Sequence, residues 1–152
     1  MSTDFSTPRP FTSAPTDWQL WLVFLSTILV GLVLWRLMPA GFAREIAGSA
    51  TAILSFIVFY PLVEEILFRG VIQRELLTRD IWRRRISGLS LANLGTSVLF
   101  MLAHMANQGL FWGVSVLAPS LVLGHFRERY DSILPSILLH FLFNLCYLFA
   151  GL

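Results

Sequence analysis

Pro61-Leu62-Val63-Glu64-Glu65-Ile66-Leu67-Phe68-Arg69-Gly70 sets two adjacent carboxylates at the end of a run of eighteen uncharged residues, Ile46 to Val63. A carboxylate in hydrocarbon costs several kcal/mol unless it pairs, takes up a proton or lines a wet cavity, so charges at this depth mark a functional site. On a helix, Glu65 and Arg69 stand four apart and can pair on one face. Glu64 projects about 100° away, and the residue four positions on from it is Phe68 rather than a cation. The pattern predicts one carboxylate neutralised locally and a second directed to chemistry.

The surrounding chain is that of a membrane protein. Of 152 residues, 56% are hydrophobic and 13% charged, with a mean hydropathy of +0.71, whereas soluble domains carry about a quarter charged residues. The expected fold is all-α, a polytopic transmembrane helical bundle of about five spans around a polar cavity, without room for a separate soluble domain. The 11 basic residues are all arginine and, with 9 acidic ones, leave a net charge of +2, too small and too dispersed for nucleic-acid binding. The implied partners are the lipid bilayer and a membrane-associated protein or peptide. The single cysteine, Cys146, excludes a disulfide within one chain and reads as a small buried hydrophobe.

Working outward, residues 1–16 hold Pro8, Pro10 and Pro15 among Ser, Thr and Asp and read as a disordered tail. Residues 17–44 form an extra first span and its connection, with the apolar run Trp18–Leu37 suiting a retained span rather than a cleaved signal. Trp18, Trp21 and Trp35 fit an interfacial aromatic belt, and Met38-Pro39-Ala40-Gly41 breaks the helix. Residues 45–152 form the core. Its second span starts near Glu45 and continues past the Glu pair to about Leu77, followed by an arginine-rich loop, Arg79 to Arg85. A third span, Ile86 to Met105, is rich in small residues that allow close helix approach. After a turn at Asn107-Gln108-Gly109 comes a fourth span, Leu110 to His125, kinked or incomplete at Pro119. A loop at Arg127 to Asp131 precedes the fifth, Ile133 to Leu152. Seven arginines on the N-terminal side (Arg9, Arg79, Arg83, Arg84, Arg85, Arg127, Arg129) against Arg36 and Arg44 opposite predict a cytoplasmic N-terminus.

Polar pairs recur on three spans: Glu64/Glu65 with Arg69, Phe100 with His104, and His140 with Asn144. A carboxylate, two imidazoles and a carboxamide suffice for acyl transfer to water: the carboxylate or a His takes the proton, and His and Asn donors stabilise the oxyanion. No serine elbow and no HExxH motif is present. Taken singly, His140 would more often be an interhelical hydrogen-bonding residue, Glu65 with Arg69 a structural pair and His125 an interfacial residue, while Met101, Met105 and the many Phe residues read as packing or lipid-facing. The joint occurrence on separate spans favours a site. A zinc ion on His104, His140 and a Glu is the alternative use of the same residues, and a non-catalytic membrane binding or bacteriocin-immunity protein is the alternative class.

The ordered set EExxxR, FxxxH, HxxxN, here Glu64-Glu65-Ile66-Leu67-Phe68-Arg69, Phe100-Met101-Leu102-Ala103-His104 and His140-Phe141-Leu142-Phe143-Asn144, resembles the CAAX-protease and bacteriocin-processing family, also called Abi, of glutamate-dependent intramembrane proteases. The resemblance covers roughly residues 45 to 152. It implies that Glu64 with His104 activates water, that His140 and Asn144 form the oxyanion hole, and that Glu65 and Arg69 hold the site together. It implies an endopeptidase without a metal cofactor in a bacterial or archaeal cell membrane. The chain is nearly minimal beside the larger eukaryotic members, so a prenylated substrate is not implied.

Overall fold

Why the chain turns where it does is a matter of prolines, glycines and capping side chains spaced along otherwise apolar helices. The computed structural model describes residues 8–37 and 47–151. A short 3-10 helix, Phe11–Thr16, precedes α1, Trp18–Leu37. Asp17 is buried and its Oδ1 accepts from the Gln19 backbone N–H at 3.1 Å, a carboxylate satisfying an orphan donor at the helix start. The described part of the expected tail thus carries local structure. The break at Met38–Gly41 and the start near Glu45 lie outside the described residues.

The second span, α2, runs Ala50–Leu76, with Ser49 as N-cap accepting from Ala52 N. It is not a uniform α-helix: Ser55–Phe59 and Ile66–Gln73 are wound as π-helix on either side of the Tyr60–Glu65 segment. Pro61 accounts for the first of these, since a proline inside a helix lacks an N–H and its ring crowds the carbonyl four residues back. The polar and apolar faces of α2 are inverted relative to a soluble helix. Glu65, Arg69 and Gln73 are fully buried, while Leu62, Val63, Ile66, Leu67 and Val71 are exposed, the arrangement expected of a helix whose outer solvent is lipid.

After the short α3, Asp80–Arg83, the third expected span begins differently from its sequence reading. Residues 85–90 form a two-stranded hairpin, β1 Arg85–Ile86 paired antiparallel with β2 Leu89–Ser90. Ser87 and Gly88 at its tip have φ of 51° and 87°, as a two-residue turn with positive φ at both central positions requires. Ser90 then caps α4, Leu91–Gln108, its Oγ accepting from Asn93 N at 2.9 Å. Gly109, at φ 90°, ends α4. The fourth span is α5, Leu110–Ser115, and α6, Leu117–Tyr130. The break at Val116 follows from Pro119, which offers no N–H to the Ser115 carbonyl. The loop expected at Arg127 to Asp131 is instead helix as far as Tyr130, where Arg127 is buried and Glu128 is held by Gln73, Ser90 and Arg85. Asp131, in the left-handed region at φ 46°, stops it. α7, Leu134–Gly151, completes the chain.

Among the described residues, three helices are long and apolar enough to cross a membrane, Ala50–Leu76, Leu110–Tyr130 and Leu134–Gly151, and Trp18–Val33 is a shorter apolar helix. α4 is less apolar because it turns Asn93, Thr96 and Ser97, all buried, inward. The protein is an all-α integral membrane protein. Contacts divide it into two compact units, one of Met1–Phe11 and Glu64–Ser136, the other of Thr12–Val63 and Ile137–Leu152.

In the first unit small residues set how closely helices approach. A Cβ on Gly124 of α6 would lie 2.0 Å from Asn93 Oδ1, and one on Gly113 would lie 1.9 Å from Met105 Cγ. Gly124→Ala is expected to push Asn93 off the Leu121 carbonyl, which its Nδ2 reaches at 2.9 Å, and to lower stability by about 1–3 kcal/mol. Thermal unfolding in detergent checks this.

Candidate active site

Helix α2 presents Glu65, Arg69 and Gln73 at four-residue intervals, and α6 presents Ser120, Gly124 and Glu128 at the same interval. The two series meet as a polar ladder. Arg69 Nη2 donates to the Ser120 carbonyl at 3.0 Å and to its Oγ at 2.7 Å. Gln73 Nε2 donates to the Gly124 carbonyl at 3.1 Å and to Glu128 Oε1 at 2.9 Å. At the inner end, Arg69 Nε lies 3.3 Å from Glu65 Oε2, both side chains being fully buried. That contact is an ion pair without the alignment of a hydrogen bond. Pairing and hydrogen bonding on this scale are what allow charges to remain in a dry interior.

Glu128 ends the ladder as a shared acceptor. Besides Gln73 it receives Arg85 Nη2 at 2.8 Å and the Ser90 hydroxyl. Ser90 therefore caps α4 with one lone pair while donating its proton to Glu128. Ser90→Ala removes both, and the N-cap alone is worth about 1 kcal/mol. With a bond to a charged acceptor added, the expected loss is about 2 kcal/mol or more, read as a lowered unfolding midpoint.

Phe100 supplies the platform of the site. Its ring stands edge-on to Phe68, with centroids 5.0 Å apart, and Arg69 Cζ sits 5.5 Å from its centroid, a cation over an aromatic face. One turn on, the His104 ring leans against Phe100 at 4.3 Å, and His104 Nδ1 lies 3.0 Å from the Phe100 carbonyl. A carbonyl oxygen only accepts, so Nδ1 carries the proton in this bond, and in the neutral ring Nε2 is left as the basic nitrogen.

The candidate residues fall in both units. Glu64, Glu65, Arg69 and His104 belong to the first, and His140 and Asn144 to the second. Glu64 is half-buried where Glu65 is sealed. The sequence reading gave Glu64 no cation, but its charge also acts on Arg69, less strongly than that of Glu65. On α7, His140 is buried and Asn144, one turn on, donates from Nδ2 to the Phe56 carbonyl at 2.8 Å. Among the described residues, no group of three or more His, Cys, Asp and Glu is gathered as a metal site. Ser120, Gln73 and Glu128 were missed in the sequence. Gln73 had a signal, continuing the four-residue series of Glu65 and Arg69, but partners 51 residues away had none.

A family model described as type II CAAX prenyl endopeptidase Rce1-like matches residues 46–146. The chain belongs to this family. All six candidate residues lie inside the matched stretch of the Rce1-like family, while α1 lies outside it. An Escherichia coli protein described as an uncharacterized 24.3 kDa protein is 32% identical over 97 residues, covering 64% of this chain and 42% of the relative. The chain therefore spans less than half the length of that curated relative. No solved structure matches.

Proposed function

We propose that this Rce1-like protein is an intramembrane endopeptidase that hydrolyses a peptide bond of a membrane-associated protein or peptide with water activated by Glu64 and His104. The observation that carries the reading is the division of labour between adjacent carboxylates. Glu65 is buried and committed to Arg69, whereas its neighbour Glu64 is only half-buried. A base must meet water, and of the two carboxylates the half-buried Glu64 is the better placed to do so.

In the proposed reaction the Glu64 carboxylate, assisted by His104 Nε2, takes a proton from water as its oxygen bonds to the peptide carbonyl carbon. The oxyanion so formed receives N–H donors from His140 and Asn144. Collapse breaks the C–N bond, and the proton passes to the leaving nitrogen. A carboxylate that stays ionised below the membrane surface needs a hydrated cavity, so the site is proposed to open as a polar funnel to one aqueous face. The N-terminus is proposed to be cytoplasmic.

The test is cleavage by the purified protein of prenylated C-terminal peptides, unprenylated peptides and membrane-anchored peptides, with products weighed by mass spectrometry. A cut that Glu64→Gln removes supports the reading. Binding without any cut, in the parent as in the variant, would make this a binding or immunity protein. The mechanism uses no metal, so strong chelators are expected to leave turnover unchanged. Full loss with chelator and recovery with added zinc would reverse that expectation.

A further inference from the structure

The π-helical turn before the Glu pair leaves one backbone carbonyl with no donor of its own. In an α-helix the Phe56 carbonyl would receive the Tyr60 N–H, but here that N–H reaches back five residues to the Ser55 carbonyl. In the π register the donor for Phe56 would be residue 61, and residue 61 is a proline without an N–H. Neither register satisfies the Phe56 carbonyl. Asn144 of α7 does, through Nδ2 at 2.8 Å, and beside it the Phe56 and Tyr147 rings lean together with centroids 5.9 Å apart.

We infer that Pro61 is a positioning residue for Asn144: by withholding a backbone donor it keeps the Phe56 carbonyl open to the Asn144 carboxamide and so fixes which way that carboxamide faces. A carboxamide nitrogen carries two N–H groups. With one anchored on Phe56 the other has a defined direction, which a preorganised oxyanion donor requires. A short polar side chain on a helix otherwise has several rotamers to visit, and each would aim the donor elsewhere. The anchor is independent of any activity, whereas its use in stabilising an oxyanion rests on the endopeptidase reading.

Pro61→Ala restores an N–H at residue 61, lets the turn relax to α-helix with Tyr60 N–H on the Phe56 carbonyl, and releases Asn144. Turnover by Pro61→Ala is expected to fall in kcat by about 10-fold to 10²-fold with KM little changed, against about 10²–10³ for Asn144→Ala. The double variant should turn over no more slowly than Asn144→Ala alone, because the proline acts only through Asn144. Losses that multiply, or a Pro61→Ala enzyme with parental kcat, would overturn the inference. Pro61→Ser, which also restores the N–H, repeats the cycle if the alanine variant folds poorly.

A second cycle reads thermal unfolding in detergent and needs no substrate. Asn144→Ala should lower Tm by about 3–6 °C in the parent, where it leaves the part-buried Phe56 carbonyl without a donor, and by less than about 1 °C beside Pro61→Ala, where Tyr60 N–H has taken its place. Equal losses in the two backgrounds would sink the anchor and leave the endopeptidase reading standing. A parent that cuts no peptide but shows unequal losses would sink the endopeptidase reading and leave the anchor.

Discussion

Glu64→Gln is expected to abolish peptide-bond hydrolysis while the protein still folds. The glutamine keeps the shape of the side chain and its hydrogen-bonding reach, but its amide cannot take a proton from water. General-base catalysis contributes up to about 10⁴-fold, so turnover should fall to the edge of detection. The fold should survive because Glu64 is only half-buried and the ion pair below it, Glu65 with Arg69, is untouched. Asn144→Ala provides the contrast: loss of one oxyanion donor leaves residual activity at about 10⁻² to 10⁻³ of the parent. Mass analysis of products from a membrane peptide, with unfolding midpoints measured alongside, checks both statements. A Glu64→Gln protein that turns over like the parent would remove Glu64 from the mechanism.

The largest loss of stability is expected from Arg69→Ala. That change strands the Glu65 carboxylate in a sealed interior and removes both bonds to Ser120 and the cation from the face of Phe100. Breaking a buried pair by removing one partner costs about 3–5 kcal/mol, which for a chain of this size is roughly 10 °C or more in Tm. Glu65→Gln should cost less, since the guanidinium retains Ser120. Arg69→Lys should rescue little, because one ammonium cannot replace a planar fork with several donors. Unfolding of Arg69→Ala within about 2 °C of the parent would show that the ladder does not hold this unit together.

What could be read in the sequence was local. The Glu65–Arg69 pair follows from a spacing of four, and so does the contact of the His104 ring with Phe100; neither needs knowledge of which helices are neighbours. The membrane class followed from composition, and the kink of the fourth span from Pro119. Long-range partners were illegible. Nothing in Ser120 or Glu128 announces that they face Arg69 and Gln73, and the charges from Arg127 to Asp131 looked like a solvated loop because most such runs are. They are helical here because Arg127 is buried and Glu128 gathers Gln73, Ser90 and Arg85. The hairpin at Arg85–Ser90 is masked in the sequence by the apolar run that follows Ile86, and its signal is the Ser87-Gly88 turn. Pro61 sits inconspicuously in an uncharged run, yet a proline eleven residues into a helix that starts at Ala50 entails a carbonyl without its helical donor.

The ladder also constrains how the protein is made. Glu65, Arg69 and Gln73 emerge from the ribosome well before Ser120, Gly124 and Glu128, which are their partners in the finished molecule. A charged side chain at the centre of an inserting helix is penalised by about 2.5–3.5 kcal/mol, so α2 on its own is a poor passenger for the bilayer despite its apolar outer face. Its stable residence depends on the later arrival of α6. A nascent chain truncated before Leu117 should therefore leave α2 extractable from the membrane, whereas one extended through Tyr130 should lock it in place.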